Sequence, residues 1–288
     1  MALNGKDVLQ RSLVGAVYIL IMGLCTLASW WTTLAAVCVT AGICTWEFLS
    51  MAKSSGLHPY RSIGTVTAVC IPLAMSFNAA GTHIVALGLA VAFVGGVLCL
   101  LRFFVHDQDS IVDVAITVFA YLYVGLTLGA FLLLRDFLPT LEGGLMCLLI
   151  LLSIWGNDAF AYLGGCAFGK HKFAPKISPK KTWEGVICGM LGGIVFWLLI
   201  PLLCPNCGFG YPYAAVCGVL GGILGIMGDL TESHIKRSFN CKDSGTLMPG
   251  HGGLFDRSDS LLFVSVGAWF LVCVLPLFLQ APEVITWL

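Results

Sequence analysis

This sequence has little charge: fifteen Lys and Arg and fifteen Asp and Glu in 288 residues, for a formal net charge of zero. Soluble domains carry about a quarter of their residues as charges, and here the share is 10%. So few charges cannot cover a water-facing surface. No nucleic acid is expected as a partner. Apolar–polar alternation is missing, which argues against a membrane β-barrel. There is no low-complexity tail and no polar stretch long enough for a soluble domain. What remains is apolar, 58% of the residues, with a mean hydropathy of +0.94.

The apolar residues form continuous runs that approach the ~20 residues a helix needs to cross a bilayer. Backbone polar groups in lipid are satisfied only in helices or closed barrels, so the runs are predicted to be helical. An all-α, polytopic integral membrane protein is expected. Its nine spans fall at roughly 13–29, 32–51, 62–77, 83–101, 114–134, 145–163, 184–203, 213–230 and 260–279. With the N-terminus cytoplasmic, every Lys and Arg except Arg135 lies on the inner side. That bias supports both the count and the orientation. Lys6 and Arg11 ahead of the first run also fit a signal peptide; the run is expected to stay as the first span.

Most of the thirteen cysteines sit singly in apolar runs, where Cys acts as a small hydrophobe. Cys204-Pro-Asn-Cys207, in an expected outer loop, lacks the second ligand pair of a zinc site. It is expected to have no catalytic role, forming at most a disulfide in an oxidising compartment, with redox chemistry as the alternative.

Polar residues are unevenly spread. Residues 1–135 are expected to be a scaffold of transmembrane helices, and 136–288 to form the catalytic site. Glu47, in TWEFLS, and the loop acids Asp107 and Asp109 are read as interfacial or solvated. Two long inner loops, 164–183 and 231–259, hold nine of the fifteen basic residues. Glycines four apart in the flanking spans, such as Gly185, Gly189 and Gly193, let helix backbones approach closely.

Asp229, Glu232, Ser233, Lys236 and Arg237 share one face of a continuing helix. Alone, that stripe reads equally well as a salt-bridged helix end with Glu232 paired to Lys236. The stretch KDSGTLMPGHGGLFDRSD, Lys242 to Asp259, shifts the balance. Gly245, Pro249, Gly250, Gly252 and Gly253 make it turn-rich, and its backbone N–H groups can form an anion nest. Asp243, Asp256 and Asp259 offer the hard oxygen ligands that magnesium prefers. Lys236, Arg237, Lys242 and Arg257 suit phosphate oxygens. His251 is compatible with phosphate binding, proton shuttling or bracing the loop.

Asp158, in SIWGNDAFAYLGG, sits in the inner half of the sixth expected span. An acid there is a functional candidate by default, with a structural hydrogen bond to Asn157 or another helix as the alternative. In Ser178-Pro-Lys180-Lys181-Thr182, Thr182 is placed to cap the helix that opens at Trp183. A helix N-terminus beside two lysines makes an anion site. Carboxylates, cations and glycines gathered on one membrane face describe a metal–polyphosphate site in a cavity open to the cytoplasm. One substrate should be soluble and phosphorylated, the other should arrive from the bilayer.

At these residues the sequence resembles the phosphatidate cytidylyltransferase, or CDP-diacylglycerol synthase, family. The family signature runs S-x-x-K-R, four residues, K-D-x-G, then P-x-H-G-G, two residues, D-R-x-D. Here it reads SHIKRSFNCKDSGTLMPGHGGLFDRSD, from Ser233 to Asp259. NDAFAYLGG and KISPKKTWEG also look like the family's, so the resemblance covers about residues 150–265, and the first half by span count only. Met248 and Ser258 depart from the pattern, Ser258 standing where an apolar residue is usual.

The resemblance implies condensation of CTP with phosphatidic acid to CDP-diacylglycerol and pyrophosphate. It also implies Mg2+ with a second cation possible, and a homodimer in the cell membrane whose site faces the cytoplasm. Asp229, Asp243, Asp256 and Asp259 would form the metal neighbourhood, with Asp229 and Asp256 as direct ligands. Lys236, Arg237, Lys242 and Arg257 would hold phosphates. Asp158, Ser178, Lys180, Lys181 and Ser233 would lie at the nucleotide or lipid headgroup, while His251, Gly252 and Gly253 shape the loop. Because that loop is polar, Asp256→Asn is expected to leave the fold intact. A CTP-dependent polyprenol or phytol kinase is the alternative. A transporter fits less well, because its inverted repeats would place broken helices in both halves, and the polar residues here are lopsided.

Overall fold

Where the apolar runs lie, the chain is helical. The computed structural model describes residues 5–76, 84–105, 110–138, 140–174, 178–248 and 252–279. Asp107, Asp109, Lys176, Pro249, Gly250 and His251 lie outside these residues. In chain order the elements are α1 (Gly5–Ala28), α2 (Trp30–Ser54), α3 (Arg61–Met75), α4 (Ile84–Val105), α5 (Ile111–Asp136) and α6 (Thr140–Phe168). A short hairpin, β1 (Lys172–Ala174) and β2 (Ser178–Thr182), precedes α7 (Trp183–Leu198) and the single turn α8 (Ile200–Leu203). Helices α9 (Tyr211–Ser238) and α10 (Phe255–Trp269) follow, and a π-turn joins α10 to α11 (Leu275–Leu279).

Among the described residues, seven helical stretches are long and apolar enough to cross a membrane. Two shorter apolar helices, Gly15–Ala28 and Arg61–Met75, coincide with the first and third expected spans. Large apolar side chains, among them Val39, Phe93, Phe104 and Leu191, stand exposed on the outer helix faces. Water would penalise that surface and lipid would not. The chain is a helical, multi-pass membrane protein.

The hairpin was not expected. Its strands pair antiparallel, Lys172 with Thr182 and Ala174 with Ser178, with an irregularity between. It forms because Glu184, one residue into α7, accepts from the backbone N–H of Lys170 and of His171 and sits 2.6 Å from His171 Nδ1. Phe173 meets Trp183 edge to face at 4.7 Å. Proline and three lysines obscured the strand period in the sequence.

The described residues group into two units. One comprises Met1–Cys25, Trp31–Leu132 and Ile235–Ser258; the other comprises Thr26–Trp30, Leu133–His234 and Asp259–Leu288. In the first, α3 packs on α4, and the fully buried Phe48, Ile71, Tyr121 and Phe255 fill the interior. In the second, α6 and α7 pack closely because Gly189 has no side chain. A Cβ there would stand 2.6 Å from the Asn157 carbonyl oxygen. Arg135, the exception to the one-sided basic pattern, is buried in this unit and donates from Nε to the Thr26 carbonyl. Its position follows packing rather than topology.

Cys204 and Cys207 are buried free thiols, each donating weakly to a backbone carbonyl, Glu142 and Phe209 respectively. Burial pushes the Cys204 thiol up to about 11 and raises that of Cys207. Both stay protonated and unreactive, in keeping with a packing role.

Candidate active site

In the second unit, α9 runs well past the ~20 residues a bilayer requires, and its polar last turns carry Asp229 and Glu232. Asp259, in α10, joins them: one carboxylate oxygen from each of the three lies within 4.8 Å of the others. Glu232 is buried, while Asp229 and Asp259 are half-buried. The approach depends on Gly228, where a Cβ would stand 2.5 Å from the Asp259 carbonyl oxygen and 2.9 Å from Ser260 Cα. Nearby, Ser260 Oγ donates to the Gly225 carbonyl at 2.9 Å. A side chain at Gly228 would force the α10 backbone away and open the cluster.

Asp229 also pairs with Lys181, which the hairpin delivers from β2. Thr182 then caps α7, accepting from Gly185 N–H at 3.2 Å as its sequence position foretold. Burial pulls the Lys181 ammonium down from its usual range, and the negative charges of Asp158 and Asp259 oppose that fall. The same elements line a cavity of about 350 Å3, including Asn157, Asp158, Lys180, Lys181, Thr182 and Asp229. Four of its lining groups can carry charge, and much of the rest is apolar wall from α6, α7 and α9. Ser178 is half-buried on β2, and Lys180 is exposed.

In the first unit, the signature loop is built around two buried carboxylates. Asp256 Oδ1 takes the Lys236 ammonium at 2.7 Å. Its Oδ2 accepts from Ser244 N–H and Ser244 Oγ, both at 2.9 Å, and from Gly253 N–H at 2.7 Å. The second carboxylate is Glu47, from α2. It accepts from Phe255 N–H at 2.8 Å, from Leu254 N–H at 3.1 Å and from Ser244 Oγ at 3.2 Å. These bonds satisfy the first N–H groups of α10, which have no partner inside the helix. A Cβ at Gly253 would collide with Glu47 and Ser244, so that glycine is required by close approach. Gly252 has φ of +85°, a conformation that glycine adopts without strain.

Two expectations are corrected here. Glu47 is not solvated: it is buried and grips the loop. Phe48 beside it packs on Phe239 and Phe255 at 5.7 and 5.8 Å. The TWEFLS run gave one signal, an acid inside an apolar span, which is expensive unless it is paired. Second, Asp256 is buried and paired rather than set in a solvated loop, so Asp256→Asn should not be neutral for the fold. It would strip the charge from a buried pair, and breaking such pairs costs about 3–5 kcal/mol.

Of the expected metal residues, Asp229 and Asp259 meet, and Glu232, expected only as part of a helix-end stripe, is a third carboxylate beside them. Asp256 is committed to Lys236, Ser244 and Gly253. Asp243 and Lys242 are exposed on the loop, as are Arg257 on α10 and Arg237, whose Nη1 donates to the Cys241 carbonyl at 3.2 Å. Ser233 is half-buried on α9. Ser258, the departure from the family pattern, is fully buried with the Tyr18 hydroxyl 3.4 Å away, a polar contact that an apolar residue would lose.

Three carboxylates beside a lysine, at the polar end of apolar helices, mark the second unit of this membrane protein. Residues 9–275 match the cytidylyltransferase family, and the chain belongs to that family. It is 35% identical over 209 residues to a phosphatidate cytidylyltransferase of Mycobacterium bovis, covering 65% of each chain. Against the phosphatidate cytidylyltransferase of Thermotoga maritima it is 37% identical over 189 residues, covering 62% of this chain and 66% of that one. Against phosphatidate cytidylyltransferase 5, chloroplastic, of Arabidopsis thaliana it is 31% identical over 276 residues, 85% of this chain and 67% of the plant protein. The match thus spans just under two thirds of the two bacterial relatives.

Proposed function

We propose that the protein condenses CTP with phosphatidic acid, forming CDP-diacylglycerol and releasing pyrophosphate. The observation that carries this reading is the Asp229–Glu232–Asp259 cluster beside Lys181, in a chain of the cytidylyltransferase family. Its oxygens suit a small hard cation: octahedral Mg2+ at 2.0–2.1 Å places ligand oxygens about 3–4 Å apart, and the three lie within 4.8 Å before any ion draws them in. Bound there, Mg2+ would supply charge neutralisation at the nucleotide phosphates. A second cation remains part of the same proposal.

The chemistry asks little of the protein in proton transfer. An oxygen of the phosphatidic acid phosphate attacks the α-phosphorus of CTP, a new P–O bond forms, and the bond to the β-phosphate breaks. The attacking phosphate is already anionic near neutral pH, so no strong general base is needed. The barrier lies in bringing two anions together, which fixed cations lower. Lys181, held by Asp229, presents its ammonium at the cavity, with Lys180 beside it. Lys236, Arg237, Lys242 and Arg257 are assigned to phosphate oxygens, and Asp158, Ser178 and Ser233 to nucleotide or headgroup. The cavity's apolar wall suits an acyl-bearing substrate. Glu47 and Asp256 fix the loop that carries Asp243 and the start of α10, which carries Arg257.

The orientation belongs to the same proposal: N-terminus and site on the cytoplasmic side of the cell membrane, with residues 1–135 chiefly scaffold, 136–288 chiefly catalytic, and the protein a homodimer. Product identity tests the reaction. With labelled CTP and phosphatidic acid, pyrophosphate should appear in step with CDP-diacylglycerol, and diacylglycerol should not substitute. Free CDP with a newly phosphorylated lipid would instead mark γ-phosphate transfer and overturn the reading.

A further inference from the structure

A basic cavity in the first unit has no part in the reaction proposed above. It has a volume of about 280 Å3 and is lined by Lys53, His58, Arg61 and Arg102 together with Trp46 and Tyr60. Lys53 is in the last turn of α2, Arg61 opens α3, and Arg102 is in the last turn of α4. Three helix ends thus bring cations to one concavity.

The walls are held in place. The Arg61 guanidinium lies over the Trp46 ring at 4.3 Å and that of Arg102 over the Tyr60 ring at 4.8 Å, fixing both planes. Arg61 also donates to Ser50 Oγ at 3.2 Å. The connection between α2 and α3 is tied to α5: His58 N–H donates to Asp113 Oδ1 at 2.6 Å, and Tyr60 N–H to Thr117 Oγ1 at 2.9 Å. Tyr60 itself is buried against Cys99 and Val114. Little ordering is left for a ligand to impose.

Basic residues at helix C-termini complement the helix dipole and set membrane orientation. That accounts for Lys53 and Arg102. It does not account for Arg61, which opens a helix where a cation opposes the dipole, nor for the shared concavity. No carboxylate is among the lining residues. Planar guanidinium forks in such a setting match a phosphate.

We propose that this cavity binds the headgroup phosphate of an anionic glycerophospholipid. A lipid source is favoured over a soluble phosphate because the cavity sits at the ends of apolar helices. Trp46 on its wall and Val66 on α3 are exposed in the manner of an interfacial aromatic and a lipid-facing side chain. The ligand is distinct from the reacting lipid, and the proposal depends on the membrane reading of the fold but not on the reaction.

Native mass spectrometry of the purified full chain, in neutral detergent doped with phosphatidylglycerol or phosphatidylcholine, tests this. The wild type should retain phosphatidylglycerol in preference to phosphatidylcholine, and inorganic phosphate in excess should not displace it. Lys53→Gln/Arg61→Gln should weaken retention by about fivefold or more for each charge removed. Ser62→Asp places a negative charge in the lining at an exposed position, and should weaken retention while leaving the thermal midpoint in neutral detergent unchanged. Equal retention of the two lipids, undiminished retention by a folded Ser62→Asp chain, or displacement by inorganic phosphate would each overturn the lipid assignment.

Discussion

Asp229→Asn should slow CDP-diacylglycerol formation by about a thousandfold or more while leaving the protein folded. The substitution keeps the side chain's shape and removes the charge shared between the carboxylate cluster and Lys181. Losing several kcal/mol of transition-state stabilisation corresponds to a rate loss of that order. Asp229 is half-buried at the polar end of α9, so its neutral form does not strand a charge in the core. The check is turnover under saturating CTP and lipid, with the thermal midpoint of the detergent-solubilised protein measured alongside. Excess magnesium should recover part of the rate if affinity is what was lost. A folded Asp229→Asn protein turning over at near the wild-type rate in limiting magnesium would remove this residue from the cation site.

Glu47→Ala should have the largest effect on stability. It takes the acceptor from the Leu254 and Phe255 N–H groups and leaves a void where a buried side chain stood. Each buried donor left unsatisfied costs about 1–3 kcal/mol, so the total reaches several kcal/mol before the void is counted. Turnover should fall as well, because α10 begins on Glu47 and that helix carries Asp259 four residues on. Glu47→Gln, which retains one carbonyl oxygen, should fall between the two. The thermal midpoint of the three proteins in the same detergent measures the ordering, and an unshifted midpoint for Glu47→Ala would mean the loop is held by other contacts.

The helical architecture was legible because a bilayer imposes a length and forbids alternatives: continuous apolar runs of about the right size could only be helices. The carboxylate cluster was partly legible. Asp229 stood out by sharing a helix face with Lys236, and Asp259 by sitting in a charged, glycine-rich run. Composition could not separate Asp256 from Asp259, three residues apart in one helix. Asp256 faces Lys236 and Ser244, whereas Asp259 faces Asp229 and Glu232. That choice is made by which neighbouring element each side chain meets. Glu232 was hidden by its i+4 partner, since a Glu–Lys pair on a helix looks like surface decoration. Glu47 was hidden by distance, nearly 200 residues from Ser244. The hairpin that carries Lys181 has no period to read, being anchored instead by Glu184 and Thr182.

The most direct test of the proposed cation site is the binding of Mn2+, followed by electron paramagnetic resonance, to purified protein without nucleotide or lipid. If Asp229, Glu232 and Asp259 hold the ion, Glu232→Gln and Asp259→Asn should each weaken Mn2+ by on the order of tenfold or more. Asp243→Asn, on the exposed loop, should leave the affinity at the wild-type value. The contrary result, a folded Glu232→Gln protein binding Mn2+ as tightly as wild type while Asp243→Asn loses the ion, would place the cation on the loop and contradict the site described above.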